Sequence, residues 1–171
     1  VQSLLVDPSA RDRSAMASLM RIVRMRRLIA TNTLTRGETK VVCFTAHPLS
    51  SFAERRTFRT MHGRWDFEPY GICIERKWLI AHGARPVIYG DESAWRQLAL
   101  PDRPFFQHRG SGSGRHSYDW TQEDEWRHVD DVDLSRISPS QLLVFVPDDA
   151  SAIQISAACP WPVTIVGGRR G

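Results

Sequence analysis

The stretch YDWTQEDEWRHVDDVDL, Tyr118–Leu134, sets seven carboxylates within fifteen residues, beside two tryptophans and a histidine, in a chain of net positive charge. Its centre, EWRHV, reads as a strand. Side chains alternate between the faces of a strand, so Glu123 and Glu125 are expected to point the same way, with Trp120 just upstream and Arg127 further along that face. Two carboxylates on one face are costly unless solvated, bridged by a proton, or paired with a cation or ligand. The pair is therefore expected to be either exposed or functional. Asp130, Asp131 and Asp133 lie beyond the strand, where a solvated turn accounts for them.

Upstream, FFQHRGSGSGRHSYD has a Gly/Ser centre that predicts a mobile loop. Ser14–Leu28 places Met16, Leu19, Met20 and Val23 at helical spacing, with arginines opposite, and predicts an amphipathic helix. KVVCFTAHPL, YGICIE, RPVIYG, LLVFVP and WPVTIV predict further strands. RKWLIAHG is a short helix stopped by Gly83, DESAWRQLAL a helix capped near Asp91, and DDASAIQISAA a helix opened by acidic residues. The expectation is one α+β domain over residues 1–171, with about six short strands and three or four helices. They alternate too irregularly for a doubly wound sheet.

The chain has 171 residues, which is the length of one ordinary domain. Its 23 basic residues include only two lysines, Lys40 and Lys77, so the net charge of +4 is carried by guanidinium groups suited to phosphates and carboxylates. That balance permits a nucleic-acid or nucleotide partner without demanding one. Cys43, Cys73 and Cys159 are odd in number and sit in apolar runs, which predicts reduced core thiols in a cytoplasmic protein. No apolar run reaches the length of a membrane span, so no membrane partner is expected. The start at Val1 and the end at GGRRG read as those of a fragment or processed product.

No zinc-ligand spacing is present, and neither a nucleophile elbow nor a P-loop. A carboxylate centre of Glu123 and Glu125 with His128 and a divalent ion is weakened because His128 falls on the other strand face. Arg55, Arg56, Arg59 and Arg64, interleaved with Phe58, Trp65, Phe67 and Tyr70, form a pattern able to neutralise phosphates and stack bases. The competing reading is a solvated arginine face over a core edge.

The words VVCFTAHPL, PYGI, GARPVIY, EWRHVDDVDL and LLVFVP, in that order from about Ala15 to Pro162, resemble the AbiGi-like abortive phage resistance proteins and related proteins with a terminal E-W-R motif. That resemblance implies bacterial antiviral defence, with a nucleic acid or a partner protein of the defence system engaged. A weaker resemblance is to ADP-ribosyltransferases, and it implies a split-sheet core and NAD as substrate. Thr45 in CFTA would then be the Ser/Thr strand end, Glu125 the catalytic glutamate and Glu123 the residue two before it. Arg64 would hold the pyrophosphate, and Tyr70, Phe106 or Trp120 would stack on nicotinamide. The Arg or His strand of that family should precede the helix, where only Val1–Arg13 remains, so this resemblance implies a missing N-terminal strand. The alternative is a non-catalytic binding or regulatory module that works through Arg55, Arg56 and Arg59.

Overall fold

The computed structural model describes residues 12, 14–33, 35–59, 64–109 and 123–166, with the backbone alone at Arg59, Arg64 and Trp65. In chain order run α1 (Ala15–Met25), β1 (Arg27–Leu28), β2 (Val41–Thr45), α2 (Phe52–Arg55), β3 (Thr57–Arg59), β4 (Arg64–Asp66), β5 (Gly71–Ile74), α3 (Arg76–Ala81) and β6 (Arg85–Pro86). Then follow β7 (Ile88–Gly90), α4 (Glu92–Gln97), β8 (Phe106–His108), β9 (Glu125–Val129), β10 (Val132–Asp133), β11 (Leu142–Val146), α5 (Asp149–Ser156) and β12 (Val163–Ile165). The α+β class holds, but the strands are shorter and more numerous than the sequence predicts. Among the described residues no helix is long and apolar enough to cross a membrane.

The chain divides into two compact units, each gathered from separated stretches. The first takes Val1–Arg26, Leu49–Ile74 and Ser135–Gly171. Its sheet has the order β12-β11-β5, with β11 parallel to β12 and antiparallel to β5. Covered on both sides, β11 is a continuous apolar run, LLVFV, with four of its five residues buried. Helix α5 makes the crossover between the two parallel strands, opened by Asp148, whose carboxylate accepts from Ser151 N at 2.8 Å. Its Ile155 is buried, as are Leu19 and Val23 of α1. Helix α1 starts at a Ser14 cap and stops at Arg26, which adopts a left-handed conformation at φ 50°. Phe145 lies across Gly71, where a Cβ would come within 2.6 Å of the ring. The ring of Phe52 meets Phe145 and Phe67 edge-on, and this seats α2 beside the arginine-bearing hairpin β3–β4.

The second unit takes Arg27–Pro48 and Glu75–Leu134. Its main sheet has the order β2-β9-β6, so the strand EWRHV is central and paired on both edges. Strands β7 and β8 form a parallel pair, and β1 pairs β10. The sequence RPVIYG, read as one strand, is two. After Pro86 the chain leaves β9, Val87 N donates to Glu125 O at 2.9 Å, and β7 then pairs with β8. Asp91 caps α4 by accepting from Ala94 N at 2.9 Å. Val41, Leu79, Val87, Phe105, Phe106, Val132 and Leu134 form the apolar core of this unit.

Candidate active site

The register Thr45↔Glu125, Cys43↔Arg127 and Arg85↔Arg127 sets these five residues on one face of the β2-β9-β6 sheet. Trp126 and His128 lie on the other face, with Phe44 and Val42 opposite them. The shared polar face is organised by Arg127, which is 1% exposed. Its Nε donates to Glu125 Oε1 at 2.9 Å, and one terminal nitrogen donates to the carbonyls of Phe106 at 2.8 Å and Pro104 at 3.2 Å. The other terminal nitrogen donates to Gln107 Oε1 at 2.6 Å. A buried guanidinium is tolerated only when its donors are matched in this way. Arg127 therefore binds the segment Pro104–Gln107 to the central strand.

Glu125 opens β9 with its side chain 15% exposed, so the carboxylate is anchored by Arg127 yet reachable from solvent. The expected Glu123 and Glu125 pair does not form on one strand face. Asp124, between them, takes the left-handed conformation at φ 44°, and the two-residue alternation begins only at Glu125. Thr45 is engaged as well: its Oγ1 donates to Glu123 O at 2.7 Å and accepts from His47 N at 3.2 Å. It fixes the backbone turn that delivers Glu125, which is a positioning role. Of the aspartates read as one solvated turn, Asp130 turns the chain at φ 65°. Asp131 accepts from Ala30 N at 2.8 Å, and Asp133 belongs to strand β10.

Among the described residues expected to cradle a nucleotide, Phe106 shares a unit with Glu125. Phe106 is 1% exposed and is core, its ring 5.2 Å from Trp95 and pressed against Gly90. Tyr70 belongs to the first unit, where its hydroxyl lies 3.1 Å from Ser151 Oγ. Arg64, in β4, is likewise in the first unit. Trp120 and most of the Gly/Ser loop lie outside the described residues. Arg55 and Arg56 are exposed in the first unit, with Arg56 3.3 Å from Glu68, and Arg59 lies in β3. Among the described residues no three His, Cys, Asp or Glu groups are placed to hold a metal ion.

Two members of the polar face were not singled out from sequence, Tyr89 and Gln107. They are register partners across β7 and β8, and each sits in a short run whose pattern gives no sign of its partner. Arg127 did leave a signal, a charge at the centre of a short strand with an opposite charge two residues earlier.

Burial, and after it the charge of Glu125, pushes the Cys43 thiol up to about 12. This holds although the residue keeps an exposed edge, because the sheet and its polar neighbours surround the sulfur. Burial, and after it Glu125, likewise pushes the Tyr89 hydroxyl up to about 12. Both groups are harder to ionise folded than unfolded. Their contribution to stability is complete below about pH 9 and is lost as the pH rises towards 12. At pH 8 Cys43 is expected to react with iodoacetamide more than about tenfold slower than an unperturbed cysteine, since the thiolate is the nucleophile. Site-resolved mass spectrometry checks this, and Glu125→Gln is expected to speed the reaction.

The cysteines Cys43, Cys73 and Cys159 are all free, and Cys43 is exposed and the others half-buried, where the sequence predicts core thiols. Comparison of the chain with protein-family models, with curated proteins and with solved structures gives no match.

Proposed function

We propose that this chain is an antiviral defence protein whose working centre is Glu125, acting on the N-glycosidic bond of NAD. One observation carries the reading: an anchored, solvent-reachable carboxylate at the opening of a central strand, held in place by Arg127 and by a turn that Thr45 fixes. Cleavage breaks the bond between ribose C1′ and the nicotinamide nitrogen. Nicotinamide leaves with the bonding pair, which neutralises its ring charge, and positive charge develops on the ribose. A carboxylate held beside that ribose stabilises the charge without reorganising. Water or an acceptor hydroxyl then adds to C1′ and releases a proton. On this reading Glu125 serves the ribose side of the substrate, while the stacking role assigned to Phe106 is withdrawn because its ring is buried.

Incubation with NAD tests the proposal. Wild-type protein is expected to release nicotinamide, and Glu125→Gln to lower the rate by at least about a hundredfold, with circular dichroism confirming the fold. Equal rates from both proteins would remove Glu125 from the chemistry.

The alternative, a non-catalytic module that binds nucleic acid, draws support from the hairpin β3–β4. Its register brings Arg59 and Arg64 to facing backbone positions, close in sequence to the exposed Arg55 and Arg56. Phe58 on the same hairpin is 46% exposed. On this reading, single-stranded DNA binds with an affinity that falls steeply with salt, and Arg55→Ala/Arg59→Ala weakens it at least about tenfold. Fluorescence anisotropy at low salt measures both, and absence of binding there would eliminate this reading.

A further inference from the structure

The face of the β2-β9-β6 sheet turned away from Arg127 carries an apolar row. Phe44, Trp126 and Pro86 are register partners on its three strands, and Val42 and His128 form the next rung. Arg127 holds the segment Pro104–Gln107 to its own face, whereas on this one no member of the row is buried. Val42, Phe44, Trp126 and His128 are half-buried, and Pro86 is exposed. Neighbouring strands lie about 4.8 Å apart, which sets the rings of Phe44 and Trp126 side by side. Among the described residues neither ring packs against another aromatic ring, so both keep surface that a planar group can cover. Rings left partly in water on a sheet are what a stacking platform presents, because the ligand completes their burial.

The charge beside the row selects the occupant. Arg76, at the start of α3, sets its guanidinium 5.8 Å from the centre of the Trp126 ring and donates to Ala46 O at 3.5 Å. It is exposed and forms no ion pair among the described residues. An uncompensated cation at the rim of an aromatic row suits a polyanion whose repeating units each bring a planar ring. Single-stranded nucleic acid has that chemistry, whereas a duplex keeps its base faces inside the stack and an acidic peptide brings charge without rings. We propose that this sheet face binds single-stranded nucleic acid, with bases stacked on Phe44 and Trp126 and Arg76 neutralising a phosphate. The proposal does not rest on the NAD reading, since Glu125 points to the other face, and it uses a surface other than the hairpin β3–β4.

The test is fluorescence anisotropy at low salt with labelled oligothymidylate and oligouridylate, whose bases stack weakly on one another and are free to meet the protein. Wild-type protein is expected to bind at least one of them; a preference for the thymidylate assigns DNA and a preference for the uridylate RNA. Phe44→Leu keeps the apolar volume without the ring and is expected to weaken binding at least about fivefold. Arg76→Ala alters an exposed side chain, so its fold is not at risk, and it is expected to reduce the slope of log affinity against log salt by about 0.7. A purely structural role for Arg76 would leave that slope unchanged. Unaltered affinity in Phe44→Leu, or an unaltered slope in Arg76→Ala, would overturn the proposal, as would equal binding of a duplex of the same length. Loss of binding in Arg55→Ala/Arg59→Ala with both sheet-face variants unaffected would assign the nucleic acid to the hairpin instead. Sedimentation velocity that shows a dimer dissolved by Phe44→Leu would assign the face to a second copy of the chain. Wild-type protein that binds neither oligonucleotide at low salt would overturn the proposal outright, and nicotinamide release decides the NAD reading separately.

Discussion

Arg127→Met is expected to destabilise the protein by about 3–5 kcal/mol, lowering Tm by roughly 10 °C in a thermal melt. Methionine fills much of the volume of the arginine stem, so the loss measures the guanidinium and not a cavity. Four acceptors lose their donor together: Glu125 Oε1, Gln107 Oε1 and the carbonyls of Pro104 and Phe106. The carboxylate suffers most, because it is left largely buried without its cation. This explains why the double variant Glu125→Leu/Arg127→Met is expected to be no less stable than Arg127→Met alone, since it removes the stranded charge with its partner. A double variant that is less stable by the full sum of both single losses would show the two residues to be independent.

The same network shows how far the sequence could be read. Strand β9 was legible from Glu125 to Val129 because period-two alternation is a local signal, and the helix openings at Asp91 and Asp148 were legible because a short polar side chain before a helix has a local task. Helix α1, read through Leu28, ends at Met25 because Arg27 and Leu28 pair with Asp133 and Val132, more than a hundred residues away. No periodicity in the helix encodes that competition. The Glu123 and Glu125 pair failed for a one-residue reason: a left-handed Asp124 resets the face on which each side chain emerges.

Phe106→Ala is expected to cost about 3–5 kcal/mol, through lost transfer energy and the cavity left behind. The magnitude follows from how the ring is enclosed. Phe106 is 1% exposed, its ring meets Trp95 of α4 and His108, and Gly90 is bare at the point of contact, where a Cβ would fall 3.0 Å from the ring. Its carbonyl is also one of the acceptors of Arg127, so a shift of β8 into the cavity would loosen the anchor of Glu125. Phe106→Leu separates the two roles once assigned to this residue. If the ring stacks on nicotinamide, leucine raises KM for NAD and leaves Tm nearly unchanged. If the ring is core, leucine lowers Tm and leaves KM within about twofold, because a ring that does not touch the substrate contributes nothing directly to its binding. Nicotinamide release and a thermal melt on the same preparation distinguish the outcomes, and the enclosure of the ring predicts the second.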